Sequence, residues 1–138
     1  MSEPTIIEVA MNGGLSKQRN PKVPRTPDEV TRDAFACIES GATILHSHTD
    51  DSVLSGTGAH DPTDYITAWR PVVERHPGAL FYPTMPGGRP DVPVAERYAH
   101  VEDLSRAGVL GLGLVDPGST NFGRKAPDGT PFPEGRVY

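Results

Sequence analysis

Residues 26–48, TPDEVTRDAFACIESGATILHSH, decide the fold class, because a helix and a strand follow one another here with almost no connection. Thr26 is a natural N-cap, Pro27 suits the first helical position, and Glu29 stands where a capping box needs a carboxylate. Val30, Ala34, Cys37 and Ile38 then recur on one helical face. Gly41 stops the helix, and the run ATILHSH (42–48) begins at once as a strand.

The same grammar extends to either side. TIIEVAM (5–11) reads as a buried strand closed by Asn12-Gly13-Gly14. LSKQRNPKVPR (15–25) is too polar and proline-rich to pack and is expected as a surface loop. Asp61 caps a second helix that Pro62 starts, with Tyr65, Ile66, Trp69, Val72 and Val73 as its buried stripe. Pro71 is expected to kink or shorten it. LFYPT (80–84) is a third strand, closed by MPGGRP. A third helix is expected from Pro93 to Ala107, with Val94, Tyr98, Val101 and Leu104 facing inward. VLGLGLVD (109–116) reads as a fourth strand, its glycines tolerable only where backbone or helix packs closely. The tail beyond GSTNFG carries turn residues without periodicity.

The order β-α-β-α-β-α-β with helix-length crossovers predicts an α/β fold, a parallel sheet with helices outside. Four strands and three helices are about half of a (β/α)8 TIM-type barrel, which needs ~250 residues. An open four-stranded sheet is the alternative but leaves strand edges unpaired, so the chain is expected to be truncated or to need a partner.

Composition narrows the function classes. The 15 Gly and 15 Pro forecast many turns. The net charge of −5, with signs interspersed and no Lys/Arg block, argues against nucleic acid and anionic membrane as partners and leaves a small anionic ligand open. The single Cys37 excludes an internal disulfide, fits a reducing compartment and reads as a packed thiol. The N-terminus lacks the pattern of a secretory leader, and no run approaches the ~20 apolar residues of a membrane span. The cytoplasm is the expected location.

On ATILHSH, alternation puts Ile44, His46 and His48 on one face and Thr43, Leu45 and Ser47 on the other. Ligands of parallel α/β sheets sit at C-terminal strand ends, so two imidazoles on one face there are placed to bind one metal ion, Zn²⁺ being the natural choice. A polar strand end without function gives the same pattern. Asp50 and Asp51 are either carboxylates orienting the imidazoles or solvated loop acids. Glu8 and Asn12 share a face of the first strand, with Glu8 expected inward as a buried carboxylate, in an ion pair or in catalysis. Asp116 is a weak candidate for a catalytic base, in a DPG sequence that also signals a turn. Gly87-Gly88 either forms an anion-binding nest or a plain turn. His60, His76 and His100 lack partner spacing and read as surface or helix-end residues. No GxSxG elbow, CxxC pair or P-loop is present.

The series VAMNGG, VPRTPDEV, CIESGATILHSH, PGG and DPGSTNFG, in this order and spacing, resembles the beta-keto acid cleavage enzyme family over the N-terminal half of a member. The resemblance implies that residues 1–138 are the N-terminal half of a single TIM-barrel domain with one Zn²⁺, in an enzyme that uses acetyl-CoA to cleave a beta-keto acid, giving acetoacetate and a new CoA ester. It implies that His46 and His48 are zinc ligands and that Gly88 contacts substrate through its backbone, with Gly87, Met85 and Asn12 as neighbouring substrate-binding candidates. Where the family's best-known member has a carboxylate and two hydroxyls, this sequence has Leu15, Met85 and Leu114, which implies a less polar substrate. The third zinc ligand, a glutamate, and the catalytic Asp and Arg lie late in the family's barrel. The chain by itself is therefore expected to be inactive unless a second polypeptide completes the barrel; the expected partner is either another copy in a homo-oligomer or a second chain that supplies the missing half. Two other readings remain: a metal-dependent hydrolase of amidohydrolase type, and a non-catalytic truncated paralogue.

Overall fold

The computed structural model describes residues 5–49, 61–85 and 93–115. The elements run β1 (Glu8–Ala10), α1 (Pro27–Glu39), β2 (Ile44–Ser47), α2 (Thr63–Arg75), β3 (Leu80–Pro83) and α3 (Val94–Arg106). All strand pairs are parallel and the spatial order β1-β2-β3 follows the chain. Glu8, Ile44 and Leu80 stand level across the sheet, as do Ala10, His46 and Tyr82.

Local chemistry starts the helices as expected. Thr26 Oγ1 accepts from Glu29 N–H (3.3 Å) while Glu29 Oε2 accepts from Thr26 N–H (3.2 Å), a complete capping box. Lys17, hydrogen-bonded to Glu29 at 2.6 Å, and the Arg25 and Thr26 backbone amides hold the Glu29 carboxyl at about 2. Gly41 ends the turn at φ +101°, where an L-residue would be strained. The N-cap of α2 is Pro62, one residue later than expected, and Asp61 Oδ1 accepts from Thr63 N–H (2.8 Å) just ahead of the helix. Pro71 does not shorten α2, which continues to Arg75. Pro71 and Thr67, one turn back, both lie on the exposed face of the helix.

The core lies between one face of the sheet and the helices. Leu45, Phe81, Tyr65, Trp69, Val72 and Leu104 are all fully buried in one cluster with Val30 and Ala34 of α1. Trp69 stacks on Phe81 with ring centroids 5.0 Å apart. Its Nε1–H donates to Ser47 Oγ at 3.1 Å, which satisfies both buried polar atoms. Cys37 packs against this cluster, and burial followed by the nearby Asp33 charge pushes its thiol upward, as a packed thiol requires.

Several expectations are corrected. The first strand is a three-residue edge rather than a buried element: Glu8 and Ala10 are exposed and Ile6 is 74% exposed, because the face away from the helices is uncovered. The β1–α1 loop is not wholly at the surface, since Val23, Pro24 and Arg25 are buried. On α3 the inward residues are His100 and Leu104, while Val94 is 67% exposed. His100 tolerates burial because its Nε2 meets the Thr84 carbonyl at 3.0 Å. His76 does end a helix, as the C-cap of α2.

No fourth strand forms among the described residues. Residues 109–115 touch β3 at Gly111 and Leu112, whose N–H groups (2.9 and 3.0 Å) converge on the single Phe81 carbonyl instead of building a ladder. A Cβ on Gly111 would come within 2.5 Å of Leu80 Cα, so only glycine permits this approach.

Candidate functional site

The site is built where β2 ends. Because Leu45 and Ser47 are buried under the helices, alternation turns Ile44 and His46 to the open face. His48 follows one residue past the strand, and the two imidazole centroids lie 5.0 Å apart at an interplanar angle of 80°. Both histidines are half-buried.

His46 is oriented by β3. Its ring stacks on Tyr82 (centroids 4.5 Å apart), and its Nδ1 lies 3.2 Å from the Tyr82 carbonyl. A carbonyl only accepts, so the neutral ring carries its proton on Nδ1 and leaves the Nε2 lone pair available. Burial lowers the pKa of His46, against the opposing effects of that hydrogen bond and of the Glu8 charge. The Tyr82 hydroxyl donates to Glu8 Oε1 across the sheet. Burial first, then the hydrogen bond to Glu8 and its charge, push that hydroxyl up to about 12. Glu8 is thus exposed and paired to a tyrosine, where a buried carboxylate was expected.

Two imidazoles, one of them held by a backbone carbonyl in its metal-ligating tautomer, fit the donor set of a zinc ion. Among the described residues no third His, Cys, Asp or Glu joins them in a cluster that could hold a metal.

The remaining candidates fall in different places. Asn12 is buried beside the strand end, and its carboxamide engages the His48 backbone. Met85, two residues past β3, is half-buried, as is Leu114, and Leu15 is 43% exposed. Gly87, Gly88, Asp116, Asp50, Asp51 and His60 lie outside the described residues. Sequence reasoning missed Tyr82 and Arg25. For Tyr82 a signal existed: it has the parity opposite to the buried Phe81, which puts it on the histidine face once β2 and β3 are paired.

Fold and site together define an α/β protein with a histidine pair at the C-terminal end of a parallel strand. The chain belongs to the beta-keto acid cleavage enzyme family, whose model matches residues 4–135. It is 30% identical over 124 residues (89% of this chain, 43% of the relative) to a 3-keto-5-aminohexanoate cleavage enzyme of Fusobacterium nucleatum. It is 30% identical over 138 residues (95% of this chain, 43% of the relative) to a 3-oxoadipate:acetyl-CoA acetyltransferase of Cupriavidus necator. A 3-keto-5-aminohexanoate cleavage enzyme of Acetoanaerobium sticklandii is 29% identical over 122 residues, or 88% of this chain and 42% of that protein. The chain thus spans less than half the length of the curated relatives it matches.

Proposed function

We propose that these residues form the first βα units of a (β/α)8 barrel that carries a zinc-dependent beta-keto acid cleavage site. In the reaction, the bond between the keto carbon and the carboxymethyl carbon of a beta-keto acid breaks. The acyl group passes to CoA, and the carboxymethyl unit joins the acetyl group of acetyl-CoA as acetoacetate. The observation that carries this reading is the pair His46 and His48, side by side at a strand end, with the His46 tautomer set by the Tyr82 carbonyl.

A barrel is supported by the strand order, which follows the chain without reversal, and by helices that bury one face of the sheet. A doubly wound fold reverses its strand order and covers both faces. The open face, bearing Glu8, Ile44, His46, Leu80 and Tyr82, becomes the barrel interior in this reading.

His46, through Nε2, and His48 would hold the zinc; when bound, it supplies the Lewis acidity that polarises a keto oxygen. Tyr82 keeps the His46 proton on Nδ1. The family resemblance puts the third ligand, a glutamate, and the catalytic Asp and Arg late in the barrel. We therefore assign them to polypeptide outside these residues, in the same protein or in a second, different chain. Leu15 and Met85, in place of polar groups, favour a beta-keto acid with an apolar acyl chain. A cytoplasmic location suits these substrates, and among the described residues no helix is long and apolar enough to cross a membrane.

The test is zinc analysis and mass-spectrometric detection of acetoacetate and CoA ester from a panel of beta-keto acids with acetyl-CoA. The 138-residue chain alone is expected to be inactive, and a protein that continues through the rest of the barrel is expected to bind zinc and prefer alkyl over charged acyl chains. His46→Ala or His48→Ala in that longer protein should abolish zinc retention. Turnover by the 138-residue chain with one zinc bound would overturn the need for further polypeptide; a zinc-free, inactive completed protein would overturn the reading.

A further inference from the structure

The two histidines are held by different parts of the molecule. The backbone ladder between β1 and β2 continues to Met11, whose N–H donates to the His46 carbonyl at 2.9 Å. At the next step a side chain replaces the strand. Asn12 Oδ1 accepts from His48 N–H (2.8 Å) and Asn12 Nδ2 donates to the His48 carbonyl (2.8 Å). A carboxamide has the same donor and acceptor as a peptide unit, so Asn12 serves His48 as a one-residue strand partner. The second N–H of Nδ2 donates to the Pro24 carbonyl at 2.9 Å, and Asn12 is only 4% exposed.

Arg25 clasps both sides of this contact. Its guanidinium donates to the Gly13 (3.1 Å) and Leu15 (3.4 Å) carbonyls on the β1 side and to the Thr49 carbonyl (3.5 Å) beyond His48. The loop expected to lie at the surface thus folds back onto the histidine end of β2.

We propose that Asn12 is a positioning residue for His48: its carboxamide, braced by Arg25, fixes the backbone from which that imidazole projects. The histidines then answer to separate supports, His48 to Asn12 and His46 to the Tyr82 carbonyl. Only an amide meets the requirement. Aspartate keeps the acceptor for His48 N–H but loses both donated bonds, and alanine loses all three. The relevance to metal binding rests on the zinc reading above; the mechanical claim does not.

The experiment is carried out first on the metal-free chain by NMR. In the unaltered protein the His48 backbone amide should exchange as slowly as amides inside the sheet; exchange at the rate of an exposed amide overturns the proposal. In Asn12→Ala the ring resonances of His48 should move and broaden while those of His46 hold. Ser47→Ala, a destabilising change on the opposite face, should leave both rings in place. Equal displacement of both rings in Asn12→Ala, or of neither, overturns the proposal. If Asn12→Ala does not fold, Asn12→Asp is read the same way, and the exchange measurement needs no variant. Titration with Co²⁺ alone should show ~10-fold or more weaker binding in the Asn12 variant, the usual scale for losing a support of a metal ligand. A protein that continues through the rest of the barrel and takes up neither Co²⁺ nor Zn²⁺ would sink the zinc reading and leave the NMR result on Asn12 standing.

Discussion

On the helix side of the sheet Leu45 and Phe81 are fully buried, and Ser47 is only 1% exposed. On the other side Ile44, His46, Leu80 and Tyr82 are half-buried and Glu8 is exposed. Both faces come from the same strands, one residue apart. The first face holds the fold through packing, with Trp69 stacked on Phe81 and anchored to Ser47. The second carries the imidazoles, the phenol and the carboxylate that could act on a ligand. Stability and chemistry are therefore assigned to alternate residues, and substitutions can separate them.

The sharpest test is the adjacent pair in β2. Leu45→Ala should cost ~2–5 kcal/mol in urea unfolding, whereas Ile44→Ala should cost roughly 1 kcal/mol or less. Equal losses would show that the open face is covered in solution and would break the contrast. Next, Ser47→Ala leaves the buried Trp69 Nε1–H without its acceptor and should cost ~1–3 kcal/mol by the same measurement. Thr26→Ala, which removes the side-chain half of the α1 capping box, should cost ~1 kcal/mol without altering either face.

The smallest effect is electrostatic. Glu29 has its carboxyl held at about 2, below the ordinary 4.5, so its contribution is complete above about 4.5 and is lost as pH falls toward 2. Melting temperatures across that window should fall less steeply in Glu29→Gln than in the unaltered chain. An unchanged slope would mean that the Lys17 and amide contacts do not act in solution.

Much of the architecture was legible because it depends on neighbours a few residues apart. The capping box joins residues three apart, and the parity of β2 joins residues two apart, so both follow from order along the chain. Where the reading failed, the partner was remote. His100 looked like a surface residue until Thr84, on the connection after β3, took its ring nitrogen. The predicted fourth strand had the right apolar pattern, but Gly111 brings it against Leu80 and Phe81 without a ladder.

The candidate site divides in the same way. The sequence by itself determined that the chain alternates strands and helices, that His46 shares a face with Ile44, and which family the spacing of its motifs resembles. Only the tertiary structure decided that Tyr82 orients His46 and that Asn12 supports His48, each across 36 residues of chain. The reason is register: alternation says which way a side chain points, but which neighbour it meets is fixed only when parallel strands pair.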